Sequence, residues 1–252
     1  MSNSTVILVT GVSQGIGKRI AEICLARPNH VVIGSVRDLE SAATEELRAL
    51  IPGEGTRLHL VQIDNTSPDD AAKAVAEIEA AGVEHIDTVI ANAGACPFPV
   101  LPIETIPNAD LVTAFQTNAA SVLGLFQAVS HLLRKSKDPR FAAFSSPGSS
   151  ISLIAPMQSW IVPAYGISKA AQNFIVQCLA FSQKDWLTVI ATTPGNTQTK
   201  PGNWIARQLG HEQAALTIDE SAVATLKTVE TISREDALGR LINAQNGETI
   251  PW

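Results

Sequence analysis

The junction between an apolar run and a glycine turn constrains this chain more than any other stretch. Thr5 to Val9 is β-branched and aliphatic, and it leads directly into Thr10-Gly11-Val12-Ser13-Gln14-Gly15-Ile16-Gly17. A short run without alternation suits a strand buried on both faces of a parallel sheet. Past the turn, Ile16, Ile20, Ile23 and Cys24 recur at helical spacing until Pro28 and Asn29 stop the helix, and His30 to Val36 form a second strand. Glycine in such a turn serves close approach. A pyrophosphate rests on a helix N-terminus only when no Cβ blocks the backbone amides that donate to it. With a strand before and a helix after, Gly11, Ser13, Gln14, Gly15, Ile16 and Gly17 are expected to bind a dinucleotide.

Composition narrows the alternatives. The 252 residues suffice for one large domain, and 45% apolar with 17% charged residues is a globular balance that excludes disorder. A net charge of −6, a pI near 5.4 and the lack of any basic run speak against nucleic-acid and membrane partners. The apolar stretches, such as Val6 to Val9, are too short to span a bilayer, and Met1 to Ser4 form no secretory n-region. Cys24, Cys96 and Cys178 lie far apart with no C-x-x-C pair or histidine cluster, so reduced thiols in a cytoplasmic protein and no metal site are expected.

The turn has the spacing G-x-x-x-G-x-G, and TGVSQGIG resembles the cofactor turn of the short-chain dehydrogenase/reductases. That resemblance implies a single-domain, Rossmann-type doubly wound parallel sheet over residues 1–252, with helices on both faces. Folds that select NAD place an acid about twenty residues past the turn. Here Val36 takes that place and Arg37 follows, which suits a charge-assisted contact to the 2′-phosphate of NADP(H). The competing reading is a solvent-exposed Arg37 paired with Asp38.

The rest of the chain alternates helices and strands. Leu39 to Leu50 is expected to be helical, Arg57 to Ile63 a strand, and Ser67-Pro68 to about Ala81 a helix. Asp87 to Ala91 is a fourth strand, Ala95 to Pro107 a proline-rich loop lining the site, and Ala109 to Leu133 one long helix. By the family resemblance, Asp64 meets the adenine, Asn92-Ala93-Gly94 matches the N-A-G signature, and Asn118 in TNAASVLGLF holds a water beside the catalytic lysine. In the same way Pro194-Gly195-Asn196-Thr197-Gln198-Thr199 matches the P-G-x-V-x-T turn over the nicotinamide. Thr197 replaces the usual aliphatic residue there, so Pro194, Gly195, Thr197 and Thr199 are expected cofactor contacts.

Tyr165 is the sole tyrosine, and Lys169 follows it at i+4, on the same face of a helix predicted from Pro163 to about Lys184. An ammonium beside a phenol is expected to lower the phenol pKa. The resemblance makes Tyr165 the proton donor and Lys169 the group that tunes it and holds the ribose. The family also places a serine at the end of strand five, Phe141 to Phe144. Strand-end alignment selects Ser146, and a spacing of thirteen residues before the tyrosine selects Ser152. Met157 and Trp160 fall between these serines and Tyr165, so with Ser152 and Trp204 they are candidates for the substrate pocket. Trp160 reads equally as a core or subunit-contact residue.

Lys200 to Thr217 reads as the core of a substrate lid at about 197–222, followed by a helix from Asp219 to Ser233 and a strand from Arg240 to Asn243. The ending Gly247-Glu248-Thr249-Ile250-Pro251-Trp252 resembles the tail of sniffer-type and fungal carbonyl reductases. The strand-five serines and A-Y-G-x-S-K-A resemble the norsolorinic acid ketoreductases. Together these imply an NADPH-dependent ketoreductase acting on a bulky aromatic or polyketide-type small molecule in secondary metabolism, assembled as a homo-oligomer (dimer or tetramer). The competing functions are non-reductive or cyclising chemistry on the same fold and a non-enzymatic NADPH sensor.

Overall fold

A computed structural model describes residues 4–252. Among the described residues, eight strands form one sheet in the order β3-β2-β1-β4-β5-β6-β7-β8. The first half comprises β1 (Thr5–Thr10), α1 (Gly15–Leu25), β2 (His30–Val36), α2 (Ala42–Arg48), β3 (Arg57–Gln62), α3 (Asp70–Ala80) and β4 (Thr88–Ala91). The second comprises α4 (Asn108–Phe115), α5 (Ser121–Leu133), β5 (Arg140–Phe144), α6 (Pro163–Ser182), β6 (Thr188–Thr193), α7 (Lys200–Gln208), α8 (Ile218–Thr231), α9 (Arg234–Ala237), β7 (Leu241–Asn243) and β8 (Thr249–Ile250).

Strands β1 to β7 are parallel, so both faces of the sheet must be covered. Alternate residues divide the core. Val6 and Leu8 pack with α3, α5 and α6 through Val75, Ile78, Phe126, Val129 and Val176. Ile7 and Val9 face the opposite way, onto Ile20, Cys24, Ala222 and Leu226 of α1 and α8. Successive strands run outward from β1 to β3, and the chain then crosses to place β4 on the other side of β1. That reversal opens a crevice at the carboxyl ends of β1 and β4, where ligands of doubly wound sheets bind.

Three differences from the sequence-based expectation have local causes. The helix expected over Ala109 to Leu133 is interrupted by a π-helical turn at Gln116–Ala120. The interruption coincides with Asn118, whose side chain is bonded outside the helix, and such bulges often mark functional sites. The segment expected as a lid contains α7, capped by the Thr199 hydroxyl accepting from Gly202 N. Thr197 also forms an isolated bridge with Leu216. The tail adds the antiparallel strand β8 beside β7, because Gly247 at φ 74° turns the chain back. No helix among the described residues is long and apolar enough to cross a membrane.

Candidate active site

The glycine turn is built for an anion. Gly11 and Gly15 both hold positive φ, at 72° and 61°, and Gln14 precedes α1 without any side-chain hydrogen bond to the helix. No acidic residue stands in the first turn of α1. The donors that every helix N-terminus leaves over thus have no side-chain cap here. A Cβ on Gly15 would meet only Thr199 Cγ2, at 3.8 Å, so the turn is open on that side, with Ser13 and Ile16 flanking it. A Cβ on Gly17 would lie 2.3 Å from Asn92 Nδ2 and 2.5 Å from the Gly11 carbonyl. Gly17 is therefore required for packing, because Asn92 donates to the Thr10 and Gly11 carbonyls at 2.8 and 3.3 Å and ties β4 to the turn.

Beside this turn, Ala93 N donates to Thr10 Oγ1 at 3.0 Å. A cavity of about 330 Å³ is lined by Asp64, Asn65, Thr66, Ala93, Gln116 and Ala120 among others. Hydrogen bonds from the Thr66 amide and hydroxyl hold the Asp64 carboxyl below the usual carboxylate range. Arg37 is exposed at the end of β2, and Asp38 accepts from Glu40 N instead of pairing with it. An uncapped helix start, an open turn and a neighbouring cavity could hold a dinucleotide, with the exposed Arg37 at its edge. The P-G turn lies alongside. Gly195 follows Pro194 at φ 87°, and the buried Thr197 hydroxyl is bonded to Ser221 Oγ at 2.6 Å, which leaves only the Thr197 backbone to reach a ligand.

Tyr165 stands in the first turn of α6, close enough to the Ser146 hydroxyl for that group to oppose the rise in its pKa. Ser146 precedes a short 3-10 turn, Pro147–Ser149, and its oxygen accepts from Gly148 N at 3.1 Å. Proline in that turn starts it, with Ser146 as its cap. Ser152 is placed differently. Its hydroxyl and its amide both donate to the Trp252 carbonyl, at 2.6 and 3.1 Å. The two serines that spacing could not separate thus have different partners.

Lys169 is buried, and its ammonium lies 6.0 Å from the centre of the Tyr165 ring. The expected lowering of the phenol pKa is not found. Burial pushes Tyr165 up to about 12, with Cys96 adding to the rise and the Ser146 hydrogen bond opposing it. The same burial pulls Lys169 down to about 7, so at neutral pH its charge is only partly present beside the phenol.

Asn118 ties the site together. It accepts from Ala95 N and donates to Ala95 O, both at 2.8 Å, and donates to Ser168 Oγ at 2.9 Å. Gly94 lies in the same knot, where a Cβ would meet Asn118 Oδ1 at 2.9 Å and Lys169 Nζ at 3.4 Å. Its missing side chain is required by these two residues.

Among the pocket candidates, Trp204 is half-buried and packs edge-on against Phe98, centroid to centroid 5.8 Å, with Lys200 Nζ 5.6 Å from the same ring. Met157 and Trp160 are 42% and 53% exposed, which removes Trp160 from the core. Several site residues escaped the sequence reading. Cys96 lines the narrow space behind Tyr165 together with Val100, Leu101 and Val162. Asn65 donates to the Thr117 carbonyl and Ser121 Oγ, linking β3 to the π-turn. Gln172 binds Lys169, and Ser145, Ser149 and Asn173 form a buried network under the Ser146 turn. Polar residues at buried helical positions were the available signal for Gln172 and Asn173.

The family model described as short chain dehydrogenase matches residues 5–210. A short-chain dehydrogenase of Neurospora crassa, srdF, is 43% identical over 254 residues, covering 100% of this chain and 99% of its own. The norsolorinic acid ketoreductase of Aspergillus parasiticus is 35% identical over 250 residues, with 98% and 91% covered. Among solved structures, the NADPH-bound carbonyl reductase from chicken fatty liver superposes with a TM-score of 0.86 at 25% identity, covering 100% of this chain and 96% of that one.

Proposed function

The chain belongs to the short-chain dehydrogenase family, and on that premise we propose that it is an NADPH-dependent ketoreductase with Tyr165 as proton donor. The observation that carries this reading is the meeting of Tyr165, Ser146 and Lys169 at the carboxyl end of β5, beside an uncapped glycine turn. NADPH, when bound, supplies the hydride. Gly11 to Gly17 and Thr199 would hold its phosphates, Arg37 the 2′-phosphate, Asp64 and Ala93 the adenosine, Gly94 and Lys169 the ribose, and Pro194 to Thr197 the nicotinamide.

The chain's own groups account for the rest of the reaction. Burial keeps the Tyr165 phenol protonated at neutral pH, the form a general acid needs. Ser146 donates to the carbonyl oxygen as charge develops on it. The phenolate left after proton transfer is stabilised by Ser146 and by a charged Lys169. Asn118 holds the loop after β4 and the Ser168 end of the same knot, and we assign it the placing of a relay water. Preorganised donors of this kind are each worth about 10²–10³ in rate.

The substrate we propose is a bulky aromatic or polyketide-type ketone. In support, Phe98, Trp204, Met157 and Trp160 stand on the segments flanking Tyr165, and curated relatives include norsolorinic acid ketoreductases. Residues at about 197–222 would form the lid of a single domain. Exposed Ile167, Phe174 and Phe181, seven residues apart on α6, support pairing with a second copy. A cytoplasmic location is part of the same proposal. The test is NADPH oxidation, followed at its absorbance, with an aromatic diketone or quinone supplied. Substrate-dependent oxidation supports the reading. NADPH binding without turnover on any such ketone would instead favour a sensor.

A further inference from the structure

Lys169 is gripped by a neighbour that the mechanism above does not use. Its ammonium donates to the Phe144 carbonyl and to Gln172 Oε1, both at 2.7 Å, and Gln172 Nε2 donates to that same carbonyl at 3.0 Å. The three groups close a triangle between the last residue of β5 and one turn of α6. Gln172 is fully buried and Lys169 is 4% exposed. Burying an amide is costly unless it is hydrogen-bonded, and an aliphatic side chain would fill the same helical position without that cost. The cost is met here by the bonds to Lys169 and Phe144.

We propose that Gln172 is a positioning residue for Lys169, supplying the second acceptor that holds its ammonium in place and in its charged form. The inference rests on reading Lys169 as the electrostatic partner of Tyr165. An ammonium has three donors, and the triangle uses two. A carboxylate at the same position would grip as well, but its charge would cancel the field Lys169 exerts on the phenol. The neutral amide fixes the ammonium and leaves that field intact.

Among the described residues, the Phe144 carbonyl is the other acceptor for the Lys169 ammonium, and it carries no charge. Burial pulls Lys169 down to about 7, and no charged side chain offsets this. The titratable groups on its Tyr165 side are Tyr165 itself and, beyond it on the loop after β4, Cys96, which burial raises to about 12 and about 11. Both are neutral where Lys169 titrates. Asn118 and Gly94 on one side, and Phe144 with Ser145 on the other, carry no charge. Removing the Gln172 acceptor therefore weakens proton binding, and adding a carboxylate there strengthens it.

The test follows the side-chain carbon of Lys169 by NMR in nucleotide-free protein labelled with [ε-13C]lysine, with Lys169→Met to assign the signal. Gln172→Leu is expected to lower the titration midpoint by about one pH unit or more, and Gln172→Glu to raise it by about as much. The alkaline limb of NADPH-dependent ketone reduction should move the same way in each variant. Midpoints unmoved in folded variants would overturn the proposal. Should Gln172→Leu fail to fold, the near-isosteric Gln172→Glu decides alone. If the midpoints move as stated but the wild-type protein reduces no ketone, Gln172 keeps its role and the reductase reading falls.

Discussion

The Ser146 hydroxyl lies close enough to the Tyr165 phenol to oppose the rise in its pKa, whereas Ser152 spends its hydroxyl on the Trp252 carbonyl. In the proposed mechanism Ser146 is therefore the carbonyl-binding hydroxyl. Ser146→Ala should lower kcat/KM for a ketone by roughly 10²–10³, the cost of one oxyanion donor. Ser152→Ala should leave kcat within a few-fold. Steady-state rates of NADPH oxidation check both, and the reverse ranking would exchange the two roles.

Arg37 is exposed at the end of β2 and free of Asp38, and in the proposed function it distinguishes the two dinucleotides. Arg37→Ala should lower kcat/KM with NADPH by tenfold or more, roughly the loss of one charge-assisted contact, and leave NADH nearly unaffected. An unchanged preference would remove Arg37 from the 2′-phosphate site.

Gly17 has no room for a side chain. A methyl group there would lie 2.3 Å from the Asn92 amide and 2.5 Å from a backbone carbonyl, and the backbone does not move cheaply. Gly17→Ala should cost about 1–3 kcal/mol, the usual range for overpacking, seen as a lower Tm. NADPH affinity should fall with it, because the displaced Asn92 no longer braces the turn.

Burial of Lys169 also predicts a pH dependence of stability. Its folded value, about 7, lies below the ordinary 10.5, so between these values the unfolded chain binds more protons than the folded one. Stability from this group therefore rises with pH across that window, and its penalty is fully present below about pH 7. Lys169→Met should remove this slope, so its stability relative to wild type should fall as pH rises from about 7 toward 10. Thermal melts of both proteins across this range check the sign.

Much of this architecture was legible in the residue pattern, and the misses share a cause. The strand β1 and its glycine turn were readable because burial on both faces and the anion cradle each leave a local signature. Ser146 and Ser152 were not separable, since both precede Tyr165 in a serine-rich segment and only the fold reveals their partners. The π-turn at Asn118 was hidden because its cause lies at Ala95 and Ser168, remote in sequence. Strand β8 is two residues long and too short to carry a period. The phenol pKa was misjudged for a physical reason. The i,i+4 spacing specifies proximity, but burial decides how much charge the lysine keeps.

The proposed mechanism turns on Tyr165 donating the proton. Tyr165→Phe removes one hydroxyl and keeps the ring, which lines a narrow space together with Cys96 and Val162. The most direct measurement pairs the turnover of this variant on a reducible aromatic ketone with its NADPH affinity by fluorescence titration. Turnover lost by at least about 10²-fold, with affinity within a few-fold of wild type, is the expected result. A Phe variant that keeps its rate would contradict the assignment.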